Sequence, residues 1–574
     1  MADAILNVGD VPKGHPKGLG VLFTTEMWER FNFYGMRTLL TLFIAEALML
    51  GDKTSSLIYG GFLGLCYLTP MLGGYIADKV LGNRSCILLG GLTMAIGQLF
   101  MFSSASIYAS NLITARSLMW IGLLILIFGN GFFKPNISSM VGQLYNHNEK
   151  SKLDSAFTIF YMGINVGAFL GQFICPFLGD VKHTLPDGTF VRDLTAFKWG
   201  FLAAAVAMFL ATITFYILKN KYVVTRSGEP VGIKPIKSET GVLESGESES
   251  AKFTTPYIIL SALVMIGITL IFHFISSGPD VSPIKSWLYP FIYGAGVGLA
   301  FLILTDRTIT KVEKQRILVL YIVCFFVIFF WAAFEQSGSS LTFVADHQTD
   351  TRIFGWLMPP SMVQIFNGVF VVVLALPFSF IWSWLQKRRL EPISPVKQGI
   401  GLALIALGYL IIAVQVKSLG TTGKVGIIWL IILYLLHTCG ELCLSPIGLS
   451  LVAKLAPKRF ASLLMGVWFL SNAAGYALTG TLGALLPPTG DKFDKAQKLG
   501  IDLQSVLDGR IKLSPSQLAS LKAVDVDAIY PTFAGFTIHN LYEFFMLFVI
   551  LCGMAAALLL LLCPLLKKMM HGVR

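Results

Sequence analysis

Charge is what this chain has least of. Only 13% of its 574 residues are Asp, Glu, Lys or Arg, against about a quarter in soluble globular domains, so a water-soluble fold is excluded. Apolar side chains make up 55% of the residues and the mean hydropathy is +0.71, which places the chain among polytopic membrane proteins. Paired cysteine motifs are missing too. The eight cysteines (Cys66, Cys86, Cys175, Cys324, Cys439, Cys443, Cys552 and Cys563) lie mostly inside apolar runs and form no CxxC. Disulfides are not expected, and no metal or other cofactor is assigned. HExxH, GxSxG and GxxxxGK[ST] are absent and the eight histidines are dispersed, so no catalytic residue is assigned and an enzyme is not expected. Residues up to Gly18 are polar and lack the apolar core and cleavage site of a signal peptide, so the first apolar run is expected to remain as a helix. The net charge of +12 comes from Lys and Arg in short loops between apolar runs. That pattern belongs to cytoplasmic loops, so the partner is a lipid bilayer and not a nucleic acid.

What is there is a series of runs of about 20 apolar residues, each long enough to span. Six lie near 19–47, 55–77, 85–108, 117–143, 153–178 and 198–218. A polar linker rich in Gly, Ser and Glu follows over 219–252. Two more runs lie near 254–276 and 286–305, and a second group of six near 317–336, 361–384, 398–416, 425–447, 460–484 and 537–565. The expected organisation is an N-terminal six-helix bundle over 1–218, a linker over 219–252, two inserted helices over 253–310 and a C-terminal six-helix bundle over 311–574. Basic clusters at Lys79 and Arg84, Lys150 and Lys152, Lys219 and Lys221, Lys311 and Lys314, Lys387 to Arg389, Lys454 and Arg459, and Lys567 and Lys568 fall in alternate loops. About fourteen crossings keep this alternation in phase, with both termini cytoplasmic. The outer stretch over about 485–537 is expected to be a solvated loop with some helix, one of which starts at Ser514-Pro-Ser-Gln.

The first run carries the sharpest anomaly. Glu26, Glu29, Arg30 and Arg37 interrupt it, and a lone charge at a helix centre costs ~2.5–3.5 kcal/mol while a Leu or Phe returns only ~0.3–0.6. At about 100° per residue, Glu26, Glu29, Arg30, Phe33, Tyr34 and Arg37 fall within roughly 140° of one another. One face is charged and aromatic and must meet partners or a polar cavity.

Several motifs recur with it. Gly73-Gly74-Tyr75-Ile76-Ala77-Asp78 followed by Gly82-Asn83-Arg84 resembles the loop signature of the major facilitator superfamily, where an Asp beside an Arg can lock one conformer. The stretch from Glu26 through Glu29-Arg30 and Tyr34 to Arg37 resembles the proton-coupled oligopeptide transporter family of that superfamily. So do Cys66-Tyr67-Leu68-Thr69-Pro70, Gly129 to Lys134-Pro135-Asn136, and Phe160-Tyr161 to Asn165. The second half adds Trp331 to Glu335-Gln336, Gln364 to Asn367, Gly440-Glu441 to Ser445-Pro446, and Gly466-Val467-Trp468. The resemblance covers about 26 to 470. It implies an all-α major facilitator fold and proton-coupled symport of di- and tripeptides by alternating access, driven by the proton gradient without a cofactor. One position departs from the animal members, which carry a histidine on the second span where this chain has Gly60 and Gly61. The carboxylates must then carry the coupling.

Depth, at about 1.5 Å per residue, makes an outer ion pair between Arg37 and Glu335 feasible. Lys134, ~16 Å from the inner end of its span, matches Glu29 and Glu441 in depth. A peptide is a zwitterion, so its site should mirror it. Arg30 and Lys134, with Tyr34 and Tyr67, are assigned to the carboxylate. Glu441 with Asn367 is assigned to the amino group and Asn165 to a peptide unit, with Trp331 and Trp468 as walls and Ser445 beside Glu441. Proton coupling is assigned to Glu26, Glu29 and Glu335 acting on Arg30 and Lys134, and the gate to Arg37 and Glu335. The rival reading keeps the fold and changes the cargo to nitrate or a peptide-like compound. A monomer suffices for either. The absence of Asn-x-Ser/Thr in outer loops favours a bacterial inner membrane.

Overall fold

The computed structural model describes residues 14–145, 152–184, 186, 190–225, 228–233, 253–278, 281–420 and 423–573. Lys150 and most of the 219–252 linker lie outside the described residues. Hydrocarbon offers the backbone no hydrogen-bonding partner, so each apolar run must satisfy its own amides as a helix. The runs appear as α1 (Lys17–Leu42, continued by a π turn over Phe43–Ala47), α2 (Gly51–Ile76), α3 (Asn83–Ile107), α4 (Leu112–Gln143), α5 (Leu153–Gly179) and α6 (Phe197–Tyr222). The inserted pair follows as α7 (Thr255–Ser276) and α8 (Tyr289–Leu304). The second half is α9 (Lys311–Phe334), a short α10 (Ser340–His347), α11 (Ile365–Lys387), α12 (Ser394–Val416), α13 (Ile427–Leu455), α14 (Ala461–Gly483) and, after the outer stretch, α18 (Leu541–Met569).

Among the described residues, twelve helical segments are long and apolar enough to cross a membrane, α7 and α8 among them. The helices α1 and α14, 26 and 23 residues long, fall outside that count although they pack in the same bundles. In α1 the dilution comes from Glu26, Glu29, Arg30 and Arg37. Within the first bundle α1 lies on α5 and α6, α3 on α4 and α6, and α2 on α4; within the second, α12 lies on α13 and α18 and α9 on α14 and α18. This is the expected two-bundle, all-α architecture.

Two seams join the bundles, α2 against α14 and α5 against α11. At the first, a Cβ on Gly60 would sit 2.6 Å from the Tyr476 carbonyl oxygen and 2.8 Å from Gly480. The backbones touch there, as small residues permit, and a histidine at 60 would not fit this packing. The inserted pair lies over the same seam. Tyr289 of α8 donates to the Leu57 carbonyl of α2 at 2.7 Å and packs with Ala473, Ala474 and Ala477 of α14.

Two expectations are revised. Arg84 does not pair with Asp78. Its guanidinium donates to the carbonyls of Val231 (2.5 Å), Lys219 (3.2 Å) and Val223, and to Asn220 Oδ1 (3.1 Å), because the end of α6 leaves carbonyls without intrahelical partners at the negative pole of the helix. The outer stretch is a compact subdomain rather than a solvated loop. Helices α15 (Gly490–Lys498), α16 (Leu503–Leu507) and α17 (Pro515–Ala523) enclose Ala496, Ile501, Leu503, Val506, Leu521 and Val526. Ser514 caps α17, accepting from the Gln517 amide at 3.2 Å while Gln517 Oε1 accepts from the Ser514 amide at 3.0 Å.

Candidate functional site

The face where α1 begins and α18 ends is open, and the opposite face is shut. Where α1 passes α9, Arg37 Nη1 donates to Glu335 Oε2 at 3.0 Å and Oε1 at 3.2 Å. Tyr59 donates a third hydrogen bond to this carboxylate at 3.2 Å, and Arg37 Nη2 reaches Gln364 Oε1 at 3.4 Å. Helix α9 ends just there, with Glu335 opening a 3₁₀ turn through Gly338, so its carboxylate is presented across the bundle interface and not along its own helix. The Arg37 guanidinium also lies 5.0 Å over the Tyr34 ring.

A second cluster lies further out. The hairpin of β1 (Lys182–Thr184) and β2 (Phe190–Arg192) places Arg192 among three carboxylates. It bonds Asp180 Oδ1 at 2.7 Å, Asp346 Oδ1 at 2.6 Å, and Glu46. Lys182 bonds the same Asp346 at 2.5 Å, and Ser361 donates to Asp180 Oδ2 through its hydroxyl (2.7 Å) and its amide (3.0 Å). Asp346 and Ser361 belong to the second half, so every one of these contacts except those to Asp180 Oδ1 and Glu46 crosses between bundles. The α15–α17 subdomain adds a third tie, Lys492 Nζ to Asp525 at 2.6 Å and to Asp52 at the tip of α2 at 3.3 Å. Burial alone would lower the Lys492 ammonium, yet Asp52 and Asp525 hold it well above its usual range. Burial would likewise raise Asp491, but His347 and Lys492 hold its carboxyl below the usual carboxylate range.

At mid-depth Arg30 is gripped by its own helix. Its Nε bonds Glu26 Oε1 at 3.1 Å and Glu29, all three side chains being buried. Arg30 Nη2, Glu26 Oε2 and Glu29 Oε1 take no hydrogen-bond partner among the described residues. Lys134 forms no carboxylate pair within the described residues and stands 3.9 Å over the Tyr67 ring, within electrostatic reach of Arg30 and Glu29. Tyr67 in turn meets Tyr476 edge-on at 4.8 Å, and Tyr476 meets Trp331 at 5.9 Å.

On the other bundle, Asn367 donates to Glu441 Oε2 at 2.9 Å and to Thr438 Oγ1 at 3.1 Å. Glu441 and Ser445 line a cavity of about 960 Å³ between α5, α11 and α13 that opens to the face of the termini. The structure thus brings Arg30 together with Glu26 and Glu29, Lys134 with Tyr67, Arg37 with Glu335 and Tyr34, and Glu441 with Asn367. It does not bring Lys134 onto a carboxylate. Asn165 donates to the Tyr161 carbonyl one turn back at 2.8 Å. Trp468 is buried with its ring on Gly448 of α13, where a Cβ would come within 1.9 Å of it. Tyr59, Arg192, Asp346 and Asp180 escaped the sequence reading, and Gln364 stood in a motif without a role. Asp180 and Arg192 stand outside the apolar runs, where a charged residue is unremarkable until its partner is known.

The POT family model matches residues 84–498. An uncharacterized transporter of Bacillus subtilis, YclF, is 34% identical over 89% of this chain and 96% of its own length. The peptide transporter YePEPT of Yersinia enterocolitica is 32% identical over 82% and 88%, and a di-/tripeptide transporter of Lactococcus lactis subsp. cremoris 30% over 82% and 89%. A solved POT family transporter bound to 5-aminolevulinic acid superposes with a TM-score of 0.69 at 26% identity, over 96% of this chain and 97% of that one. With its two-bundle fold and a family model matched over most of its length, residues 84–498, the chain belongs to the POT family, the proton-coupled oligopeptide transporters.

Proposed function

We propose that this protein carries di- and tripeptides into the cell with protons, by alternating access, with fourteen crossings once α1 and α14 are included and both termini cytoplasmic. The observation that carries the reading is the placement of opposite charges on the two bundles. Arg30 and Lys134 stand on the first and Glu441 on the second, which suits a zwitterion better than a simple anion. A nitrate carrier would have no use for Glu441 held by Asn367. The names of the Yersinia and Lactococcus relatives agree with peptide cargo.

Coupling follows from the grip on Arg30. In low dielectric a guanidinium is held firmly by ionised Glu26 and Glu29, and a proton on either weakens that hold and frees donors for the peptide carboxylate. Proton and peptide binding are then linked. Rocking of the bundles about the midplane completes the cycle; the closed ion pairs on one face and the open cavity on the other support an inward-open stage. The test is uptake of labelled Ala-Ala into proteoliposomes under an inward proton gradient. Glu441→Gln should abolish it and Glu26→Gln should uncouple it from the gradient. Uptake unchanged after the gradient is collapsed, or competed by nitrate and not by dipeptides, would refute the proposal.

A further inference from the structure

The two helices that bring Tyr67 and Lys134 together each carry a proline within the helix, Pro70 in α2 and Pro135 in α4. Proline has no N–H, so each leaves the carbonyl four residues back without a donor in its own helix. Those carbonyls belong to Cys66 and Gly131. In hydrocarbon such a group must be met from a neighbouring helix, and here each is met by the other helix of the pair. The Asn130 side-chain amide of α4 donates to the Cys66 carbonyl at 2.8 Å. Gly73 of α2 closes on the Gly131 carbonyl so tightly that a Cβ there would collide with it. Between these two contacts Thr69 Oγ1 lies 3.0 Å from the carbonyl oxygens of both Leu65 and Ile127. Asn130 and Cys66 are buried, and Asn130 Oδ1 takes no hydrogen-bond partner among the described residues. Within those residues, the bond to Cys66 is all that the Asn130 amide does.

The place of that bond gives it a consequence for the site. Tyr67 follows Cys66 in α2, and Lys134 stands one turn of α4 beyond Asn130, its Nζ 3.9 Å over the Tyr67 ring. We propose that Asn130 is a positioning residue: by giving Cys66 the donor that Pro70 withholds, it fixes α2 against α4 where Lys134 and Tyr67 meet, and so holds these two side chains in register for the peptide carboxylate. The inference rests on the peptide reading, in which Lys134 and Tyr67 take that carboxylate. Without the Asn130 amide the Cys66 carbonyl is buried and unpaired, a state the backbone leaves by turning at the proline. Tyr67 turns with it and leaves its place under the ammonium. The loss falls on the carboxylate end of the ligand and spares the ammonium end, which Glu441 holds on the other bundle.

Competition against labelled Ala-Ala in proteoliposomes of the full chain tests this with two ligands, unlabelled Ala-Ala and Ala-Ala amide, which keeps the ammonium and lacks the carboxylate. The quantity read is the ratio of the amide's inhibition constant to that of Ala-Ala. Wild type should favour Ala-Ala, and Asn130→Ala should lower the ratio by about tenfold or more, the scale of a hydrogen bond to a charged group. Asn130→Leu keeps the branched shape, loses the donor and provides the same readout if Asn130→Ala does not fold. Pro70→Ala returns an amide to Cys66 from within α2. In that background Asn130→Ala should change the ratio by no more than about twofold, the scatter of uncoupled sites. Equal loss for both ligands, the mark of a residue that only glues helices, leaves the ratio at its wild-type value and would overturn the proposal. So would a fall as large with Pro70→Ala as without it; the single variants decide alone if Pro70→Ala does not fold. Such results from wild-type vesicles that prefer Ala-Ala to its amide sink only the role of Asn130, whereas wild-type vesicles that take up no dipeptide sink the peptide reading with it.

Discussion

Glu335→Gln should unlock the closed face. The glutamine keeps the shape of the side chain and removes its charge, and Arg37 has no second carboxylate among the described residues, only the Gln364 amide oxygen at 3.4 Å. Both side chains of the pair are less than a tenth exposed. Removing one partner of a buried ion pair costs ~3–5 kcal/mol, because the remaining charge stays in low dielectric. At about 1.4 kcal/mol per factor of ten, the state with this face shut should lose two to three and a half decades of its advantage over the one with this face open. The Arg192 cluster is untouched by the change, so whatever closure persists is its contribution. Spin labels at the exposed Ser110 and Ser418, at the ends of α3 and α12 on the closed face, would read the change as a new, longer distance. Proton-driven uptake should fall in the same variant while counterflow of preloaded peptide continues. A distance distribution identical to wild type would refute the reasoning, since it would mean that Arg37 and Glu335 carry none of the closure.

Asp346→Asn strips Arg192 of one carboxylate and Lys182 of its partner, but Arg192 keeps Asp180 and Glu46. The shift in the same distance measurement should be smaller, ~1.5–3 kcal/mol as for a hydrogen bond to a charged group, and it should add to that of Glu335→Gln because the clusters share no residue. Gly60→His should force α2 away from α14, since its Cβ alone would meet the Tyr476 carbonyl at 2.6 Å. A fall in the thermal midpoint in detergent, of ~1–3 kcal/mol or more for an overpacked contact, is expected, and an unchanged midpoint would contradict the seam. The docking of the α15–α17 subdomain should depend on pH. The Asp491 carboxyl is held below its ordinary 3.8, so its contribution is complete above that pH and is lost only as the pH falls through the lowered value. Lys492 is held above its ordinary 10.5, so its contribution is complete below that pH and is lost only on further rise. Protection from hydrogen exchange over 490–526, taken relative to the intrinsic rate at each pH, should hold steady between about pH 4 and 6, fall as the pH drops through Asp491's lowered value, and decline at higher pH as the His347 imidazole beside Asp491 loses its charge; loss of protection at about pH 5 would argue against these two anchors.

Residues one helical turn apart were readable from the chain. Glu26, Glu29 and Arg30 had to share a face because 3.6 residues make a turn, and the grip on Arg30 is that periodicity realised. The Arg37–Glu335 pair was legible at one remove, because depth below a loop can be counted in residues when both helices run straight. Lys134 shows where counting fails. Its depth matched the carboxylates, but depth says nothing of azimuth, and the side chain turned to the Tyr67 ring. Arg84 failed in the same way: its nearest acid in sequence was Asp78, and the carbonyls at the end of α6, 135 to 139 residues away, took it instead.

Composition and the period of the apolar runs were sufficient for a membrane protein of two helical bundles with an inserted pair, because hydrocarbon imposes one backbone solution and one length on every crossing. The motifs were sufficient for the family. Tertiary structure alone decided which face is shut. The Arg192 cluster joins residues from four separate stretches of chain, and apart from Glu46 at the end of the first apolar run none of them is unusual where it stands. The cavity under Glu441 is likewise a gap between α5, α11 and α13 rather than a pattern in any of them. Long-range charge pairing and empty volume depend on how helices are rotated and tilted against one another, and a one-dimensional period does not contain those angles.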